Sequence, residues 1–430
     1  MKRQDHRRLL TGTLGSAAAL VAVHQAGAQE ALTASRTANQ AAVARSQASQ
    51  NGGYANTGSS FGYNLGAGLA FEYNDNVNLS QANADEEFSL RPNISAGAYW
   101  VITDYTRLGL DMSLGYVQYL NDSSRSRVDF TVSPTADNNI GFEILVGDWH
   151  INVYDSFGVR SDPVRDGTIS GTDKVVQFNN TLGVLALYDL GNAQLNAGYA
   201  FQTSLFQDSA YADSERVSHL FNAGYQYSFS PVFAVGIETS ASLSLYDSGR
   251  QNDSVVYTLG PTVQWAPTDF ITITAGGGPS LVVFSANDAG FRPDDRSSYY
   301  LYSSINHRFS EFATHSLSVS QTVAPAVQSS DSETLSFTYQ ISLEVIREVV
   351  ITAGAFYETG DYSSGISIPA AGIVPFRRSF NRVGGRIGAS RAFGDHLSAS
   401  LAYEFIQRSS DTPNSDYDQN RVSLTATYRF

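Results

Sequence analysis

From about residue 61 to the end of the chain, apolar and polar residues alternate with a period of two. In 421–430, Val422, Leu424, Ala426, Tyr428 and Phe430 share one parity, and Arg421, Ser423, Thr425, Thr427 and Arg429 hold the other. Successive side chains of a strand point to opposite faces, so such a stretch has one apolar face and one polar face. Tyr63, Leu65, Ala67, Leu69, Phe71 and Tyr73 repeat the pattern, as do Phe88, Leu90, Ile94, Ala96 and Ala98. Similar alternation predicts strands near 102–119, 127–146, 149–160, 173–188, 193–206, 215–229, 232–246, 253–265, 269–284, 297–309, 314–324, 332–346, 348–359, 377–391, 395–408 and 419–430. With the first two this makes about 18. Strands of about 9–11 tilted residues suffice to cross a bilayer, and an even number suits a barrel whose two ends share one side. The prediction is an all-β chain, a transmembrane antiparallel up-and-down β-barrel over 61–430.

The connections support that reading because they sort into two kinds. Short ones carry Gly, Pro or Asp beside aromatics, as in Asp189-Leu190-Gly191-Asn192, Ser228-Phe229-Ser230-Pro231, Ala266-Pro267-Thr268-Asp269 and Phe393-Gly394-Asp395. That is turn chemistry, with aromatics suited to an interfacial girdle. Long ones are polar and acidic: 74–86, 161–172, 207–214, 247–252, 285–296, 361–376 and 409–418. The two kinds alternate along the chain, as outer loops and periplasmic turns must.

The final ten residues resemble the C-terminal strand of the outer-membrane β-barrel superfamily, whose members commonly end in Phe after alternating apolar or aromatic residues. The resemblance implies that Tyr428 and Phe430 act as an assembly signal read by the barrel-assembly machinery, and that the chain inserts into a Gram-negative outer membrane. The stretch Phe71-Glu72-Tyr73-Asn74-Asp75-Asn76-Val77-Asn78-Leu79 resembles the first strand and loop of type-2 β-barrel porin families, including barrels found beside exopolysaccharide export systems.

The N-terminus adds a localisation. Lys2, Arg3, Arg7 and Arg8 precede a short apolar run, and Ala26-Gly27-Ala28 offers small residues at a cut site, so 1–28 reads as a cleaved secretory signal. The Arg7–Arg8 pair also admits a twin-arginine route. Residues 29–60 are rich in Ala, Gln and Ser and read as a flexible periplasmic tail. No stretch supplies the roughly 20 apolar residues of a spanning helix, which leaves a barrel untouched. With no Cys, neither disulfides nor thiolate metal sites hold the chain. A formal charge of −14 excludes nucleic acid as an expected partner. After residue 28 Lys174 is the only Lys, so positive charge is carried almost wholly by Arg, which suits carboxylate and phosphate contacts.

The inward parity is small and polar: Thr334, Ser336, Thr338, Gln340, Ser342 and Glu344 on one strand, Ser218, Asn222, Gly224, Gln226 and Ser228 on another. About 18 strands with such an interior enclose water. The expected function is a porin-like channel for passive diffusion of small hydrophilic solutes. Alternatives are a barrel of a polysaccharide-export or envelope-assembly system, or a structural or adhesive surface barrel. Arg378, Arg382 and Arg386 share an inward parity; Arg421 and Arg429 lie two strands on, with Glu404 and Arg408 between. They read either as a lumen-lining ladder that attracts anions or as Arg–Glu braces within the wall. Glu72, Asp111 and Glu238 are inward acids expected across the ring from it.

Catalysis is not expected. His150, His219, His307, His315 and His396 are scattered, and none sits beside a nucleophile and an orienting acid. Asn74-Asp75-Asn76 is an oxygen-rich cluster without ordered cation-ligand spacing, and reads as solvated loop charge. No cofactor or metal is expected. Expected partners are outer-membrane lipids and lipopolysaccharide, the assembly machinery and the solute; homo-oligomerisation is left open.

Overall fold

The computed structural model describes residues 60–132, 141–163, 167–173, 175–327, 329–346, 348–363 and 377–430. The signal and almost all of the tail expected over 1–60 lie outside these. The strands are β1 Phe61–Asn74, β2 Glu87–Thr103, β3 Thr106–Tyr119, β4 in two segments (Arg127–Val132 and Gly141–Val146), β5 Trp149–Arg160 and β6 Gln177–Asp189. Then come β7 Ala193–Phe206, β8 Arg216–Ser230, β9 Phe233–Tyr246, β10 Ser254–Thr268, β11 Ile271–Phe284 and β12 Arg296–Ser310. The last are β13 Ala313–Ala326, β14 Ser329–Ile346, β15 Val349–Ser363, β16 Arg377–Phe393, β17 Leu397–Ser410 and β18 Tyr417–Arg429. Each pairs antiparallel with its neighbours in sequence, and β18 returns to β1 from Gly66↔Arg429 to Asn74↔Arg421. The fold is a closed 18-strand antiparallel barrel.

The two-residue rhythm explains the wall. Leu424, Leu401 and Ile387 are each 54% exposed, although they are large and apolar, because their face of the sheet looks outward. A closed ring with a greasy exterior leaves no backbone edge unpaired in lipid, which is why barrels can span it. Aromatic side chains collect at the end with the short turns: Trp100, Trp149, Trp265, Phe309, Phe393 and Phe430 are all exposed there.

One strand departs from the expected run. The sequence predicts continuous alternation through 127–146, but the ladder on β3 advances three residues, from Gly109 to Met112, while β4 advances nine, from Gly141 to Val132. Both segments of β4 pair with β3 and with β5, so they occupy one place in the ring. Gly141 sits at φ 119° with its α-carbon against the Val153 carbonyl, where any β-carbon would collide. Its backbone position is open to Gly alone.

The buried apolar clusters lie inside the ring at the loop end, where connections fold inward. Leu79 packs on Ile406 and Tyr417; Ile169 and Val175 pack on Phe206 and Tyr211; Val256, Val282, Phe284 and Val323 form a third group.

Candidate lumen constriction

Two rows of charged side chains cross the inner face of β15–β18. In the row nearer the loops, Glu358, Arg382, Arg408 and Tyr417 are successive cross-strand neighbours. Below it, Arg386, Glu404, Arg421 and Asn74 stand in register. Neighbours of this kind hold their β-carbons about 5 Å apart, close enough to couple electrostatically.

The upper row is sealed. Arg382 donates to Glu358 at 2.8 Å, with the two side chains only 1% and 7% exposed. Arg382 lies over the Phe356 ring and Arg408 over Phe380, each 5.6 Å from the ring centre. Arg408 donates from Nε to the Gly167 carbonyl at 2.9 Å and from Nη1 to the Ser415 carbonyl. Charges are this dry on the inner face of a barrel because the described residues of loop L3 (161–163, 167–173 and 175–176), Gly167 above all, cover them.

L3 leaves the wall between β5 and β6 and crosses to β16–β18. Its Asp162 receives both Nη groups of Arg421, at 3.0 and 3.1 Å, a fork geometry that Arg alone provides. Gly167 lies against Phe380 and Arg382 so closely that an added β-carbon would sit 2.6 Å from the Phe380 ring. The Gly171 amide donates to the Leu79 carbonyl of loop L1 (75–86) at 2.9 Å. Asp173 meets Arg125 of loop L2 (120–126) at 2.7 Å, and Arg125 also holds Asp85 at 2.8 Å. Burial alone would lower the Arg125 guanidinium, but Asp85, Asp173 and Asp122 together hold it above its usual value. Asp122 is held below the usual carboxylate range because the Ser124 hydroxyl and amide donate to it.

L1 is pinned in turn to β18. Asn76 donates to the Ser80 and Asp418 carbonyls at 2.9 and 2.8 Å, and Gln419 donates to the Asn76 carbonyl at 2.7 Å. Asp75 accepts from the amide and side chain of Asn420, and Asn74 accepts from the Asn76 amide. The Asn74-Asp75-Asn76 cluster, expected to be solvated, is therefore a structural clip. Its side chains are short acceptors and donors beside turning backbone, which favours local bonding.

The remaining site residues divide by place. Arg386 is exposed on the inner face, and neither it nor Glu404 makes a hydrogen bond or ion pair among the described residues. Arg378 stands at the loop end opposite Tyr362. Arg429 lies at the turn end, where its amide donates to the His396 carbonyl and its carbonyl accepts from His396. Tyr428 and Phe430 face outward there, ring centres 5.0 Å apart, and the Phe430 amide donates to the Leu65 carbonyl across the closure. The acids are not arranged as expected. Glu72 is on β1, next to β18; it binds Arg91 at 2.6 Å and contributes to the field at Arg421. Asp111 is on β3, on the same side of the ring. Glu238, on β9, stands half the ring away and accepts from the Tyr302 hydroxyl at 3.2 Å.

A second arm enters the lumen where sequence reasoning expects plain wall. Pairing of β12 with β13 ends at Leu301↔Gln321, while β13 and β14 stay paired as far as Ala326↔Ser329. Their tip leans inward: Val323 joins Val256, Val282 and Phe284, and Val327 packs on the cluster of L3 and L4 (207–215) residues. Arg296 braces it through Asp331 and Glu333. The signal was Val323-Ala324-Pro325-Ala326-Val327, which is apolar on both parities and so reads as buried on both faces.

No family model matches the chain, and no curated protein matches it. Among solved structures it is similar to OpdK of Pseudomonas aeruginosa with vanillate, at 13% identity and a TM-score of 0.43, covering 86% of this chain and 99% of that one. It is also similar to OccK2 (OpdF) of the same organism in complex with glucuronate, at 13% identity and 0.48, covering 86% and 98%. OccAB3 of Acinetobacter baumannii matches at 11% identity and 0.46, covering 86% and 99%. Likeness at this level transfers neither residues nor solutes to the chain.

Proposed function

We propose that the chain is a porin-like channel of the outer membrane, through which small hydrophilic solutes diffuse down their own gradients. The observation that carries this is the pair Arg386 and Glu404: adjacent, inward-facing and, among the described residues, without a hydrogen bond or salt bridge, although Arg421 beside Glu404 feels its charge. Charge left open inside a barrel is hydrated, whereas Arg382, Arg408 and Arg421 are taken up by L3 and the wall. A hydrated passage between L3 and the lower wall would then carry the Arg386 guanidinium beside the Glu404 carboxylate, neither held in a salt bridge among the described residues. Such a site favours solutes by charge at the narrowest level, with Arg386 and, at the turn end, Arg429 attracting anions.

In this reading the short turns lie in the periplasm and L1–L4 face outward. Tyr428 and Phe430 then stand at the periplasmic end of the closing strand, where the assembly machinery would read them. Resemblance to type-2 porin families belongs to the same reading; no observation favours the export or adhesive alternatives. Planar-bilayer recording tests it. Stepwise ohmic conductance from the purified full chain supports a channel, and electrically silent insertion would reject it.

A further inference from the structure

The outer wall is mostly apolar, with scattered neutral polar residues such as Thr239, Ser303 and Asn381, and one oblique line of polar residues runs up β5–β8. On β5, Asp155 is exposed and stands directly across from Leu182, which is 51% exposed on the outer face. Among the described strand residues it is the one charged side chain on that face away from both rims. It lies six residues along β5 from Trp149. At a strand tilt of about 40° each residue adds about 2.5 Å of height, so Asp155 sits about 15 Å above the turn rim, within an apolar band about 25 Å tall. Asn180 on β6 donates to its Oδ1 at 2.8 Å, and the carboxylate has no other hydrogen bond or ion pair among the described residues. Thr203 on β7 stands directly across from Asn180, and His219 on β8 holds the Tyr199 hydroxyl at 2.9 Å. These three are at about 22–28 Å by the same reckoning, so the line climbs from the hydrocarbon to the outer interface.

An ionisable side chain turned toward lipid at this depth calls for an occupant with donors, because hydrocarbon offers none. A second copy of the chain is a poorer fit: its outward Thr239 hydroxyl is already given to the Thr258 carbonyl at 2.8 Å, and away from the rims its outer wall carries no cation among the described residues. A phospholipid carries ester acceptors below its headgroup and no donors. We infer that the wall of β5–β8 binds an outer-leaflet glycolipid whose acyl chains hang from amide- and hydroxyl-bearing linkers. Linker O–H and N–H groups donate to Asp155 and to the Asn180 carbonyl oxygen, while Thr203 and His219 meet the sugar-level polar groups. The inference rests on the outer-membrane reading above, and it is independent of whether the lumen conducts.

Native mass spectrometry of the full chain, with lipid A and phosphatidylglycerol as probes, tests it. Asp155→Leu combined with Asn180→Leu should lower lipid A retention about tenfold and leave phosphatidylglycerol unchanged. Thr203→Val, which removes one hydroxyl and preserves the wall, should lower it about threefold and keeps the test open if the double variant fails to fold. Equal lipid A retention in wild type and variants overturns the inference. So does loss of a concentration-dependent dimer in the variants with lipid A binding intact, which assigns the wall to a second copy. Bilayer conductance should be the same in wild type and Thr203→Val. A silent wild type that still prefers lipid A removes the channel reading and leaves this site standing.

Discussion

Replacing Asp162 by Ala isolates the contact that ties L3 to the far wall. Two unit charges about 4 Å apart interact by about 4 kcal/mol at an effective dielectric of about 20. Removing one member of a buried pair costs about 3–5 kcal/mol, because the other charge is left uncompensated. Asp162 and Arg421 are 22% and 14% exposed, which leaves some hydration to the bared guanidinium and places the loss near the low end, about 3 kcal/mol. At 1.4 kcal/mol per tenfold, that raises the undocked fraction of L3 about a hundredfold. The Gly167–Arg408 and Gly171–Leu79 bonds and the Ile169–Val175 packing remain, so the loop should exchange between positions and stay mostly docked. Single-channel recording should show added current noise. The reversal potential under a salt gradient should move toward anion preference, since Arg421 loses its counter-charge. The wall ladder keeps its hydrogen bonds, so the unheated barrel should migrate as wild type, while the heat-induced mobility shift should come at a lower temperature because Arg421 sits in the β1–β18 joint. Unchanged noise together with an unchanged reversal potential would refute the assignment of L3 as the constriction.

Three further outcomes follow from the same geometry. Arg386→Glu should shift ion selectivity toward cations with normal folding, whereas Arg382→Glu places a second carboxylate against buried Glu358 and should cost about 3 kcal/mol or more; reversal potentials and thermal melts separate the two. Leu79, wholly buried beneath Ile406 and Tyr417, should lose about 2–5 kcal/mol of local stability when changed to Ala, seen as faster hydrogen exchange at Gly171, whose amide it holds. Because the Asp122 carboxyl is depressed in the folded state, its support of L2 is complete above the ordinary value of about 3.9 and fades only as pH falls through the lowered one. Protection of the Ser124 amide should therefore be flat from pH 8 to about 5, and loss of protection within that window would contradict the Asp122 contact.

The wall was legible in the sequence because it depends on local parity alone. Each strand shows its apolar face every second residue, and every strand position in the ring answers to a predicted stretch. The inward set Arg378, Arg382 and Arg386 was legible for the same reason. What parity cannot give is which of those charges remain open. That is decided by Asp162, Gly167 and Leu79, residues of polar loops whose inward course depends on contacts distant in sequence. The apolar residues Val77, Leu79, Ile169 and Val175, set in loops otherwise polar, were the available hint that those loops fold back. The skip within β4 left no such trace, since alternation resumes on both sides of it.

The joint between β1 and β18 is short: it engages β1 only over Gly66–Asn74, whereas β2 pairs with β1 along its whole length. Directly above that joint, L1 clips onto Asp418, Gln419 and Asn420, and L3 grips Arg421. The loops that narrow the passage are thus also rivets on the seam that makes the cylinder whole. A change that widens the passage by freeing them loosens the hoop itself, so permeability and mechanical integrity are traded against each other at the same four residues of one strand.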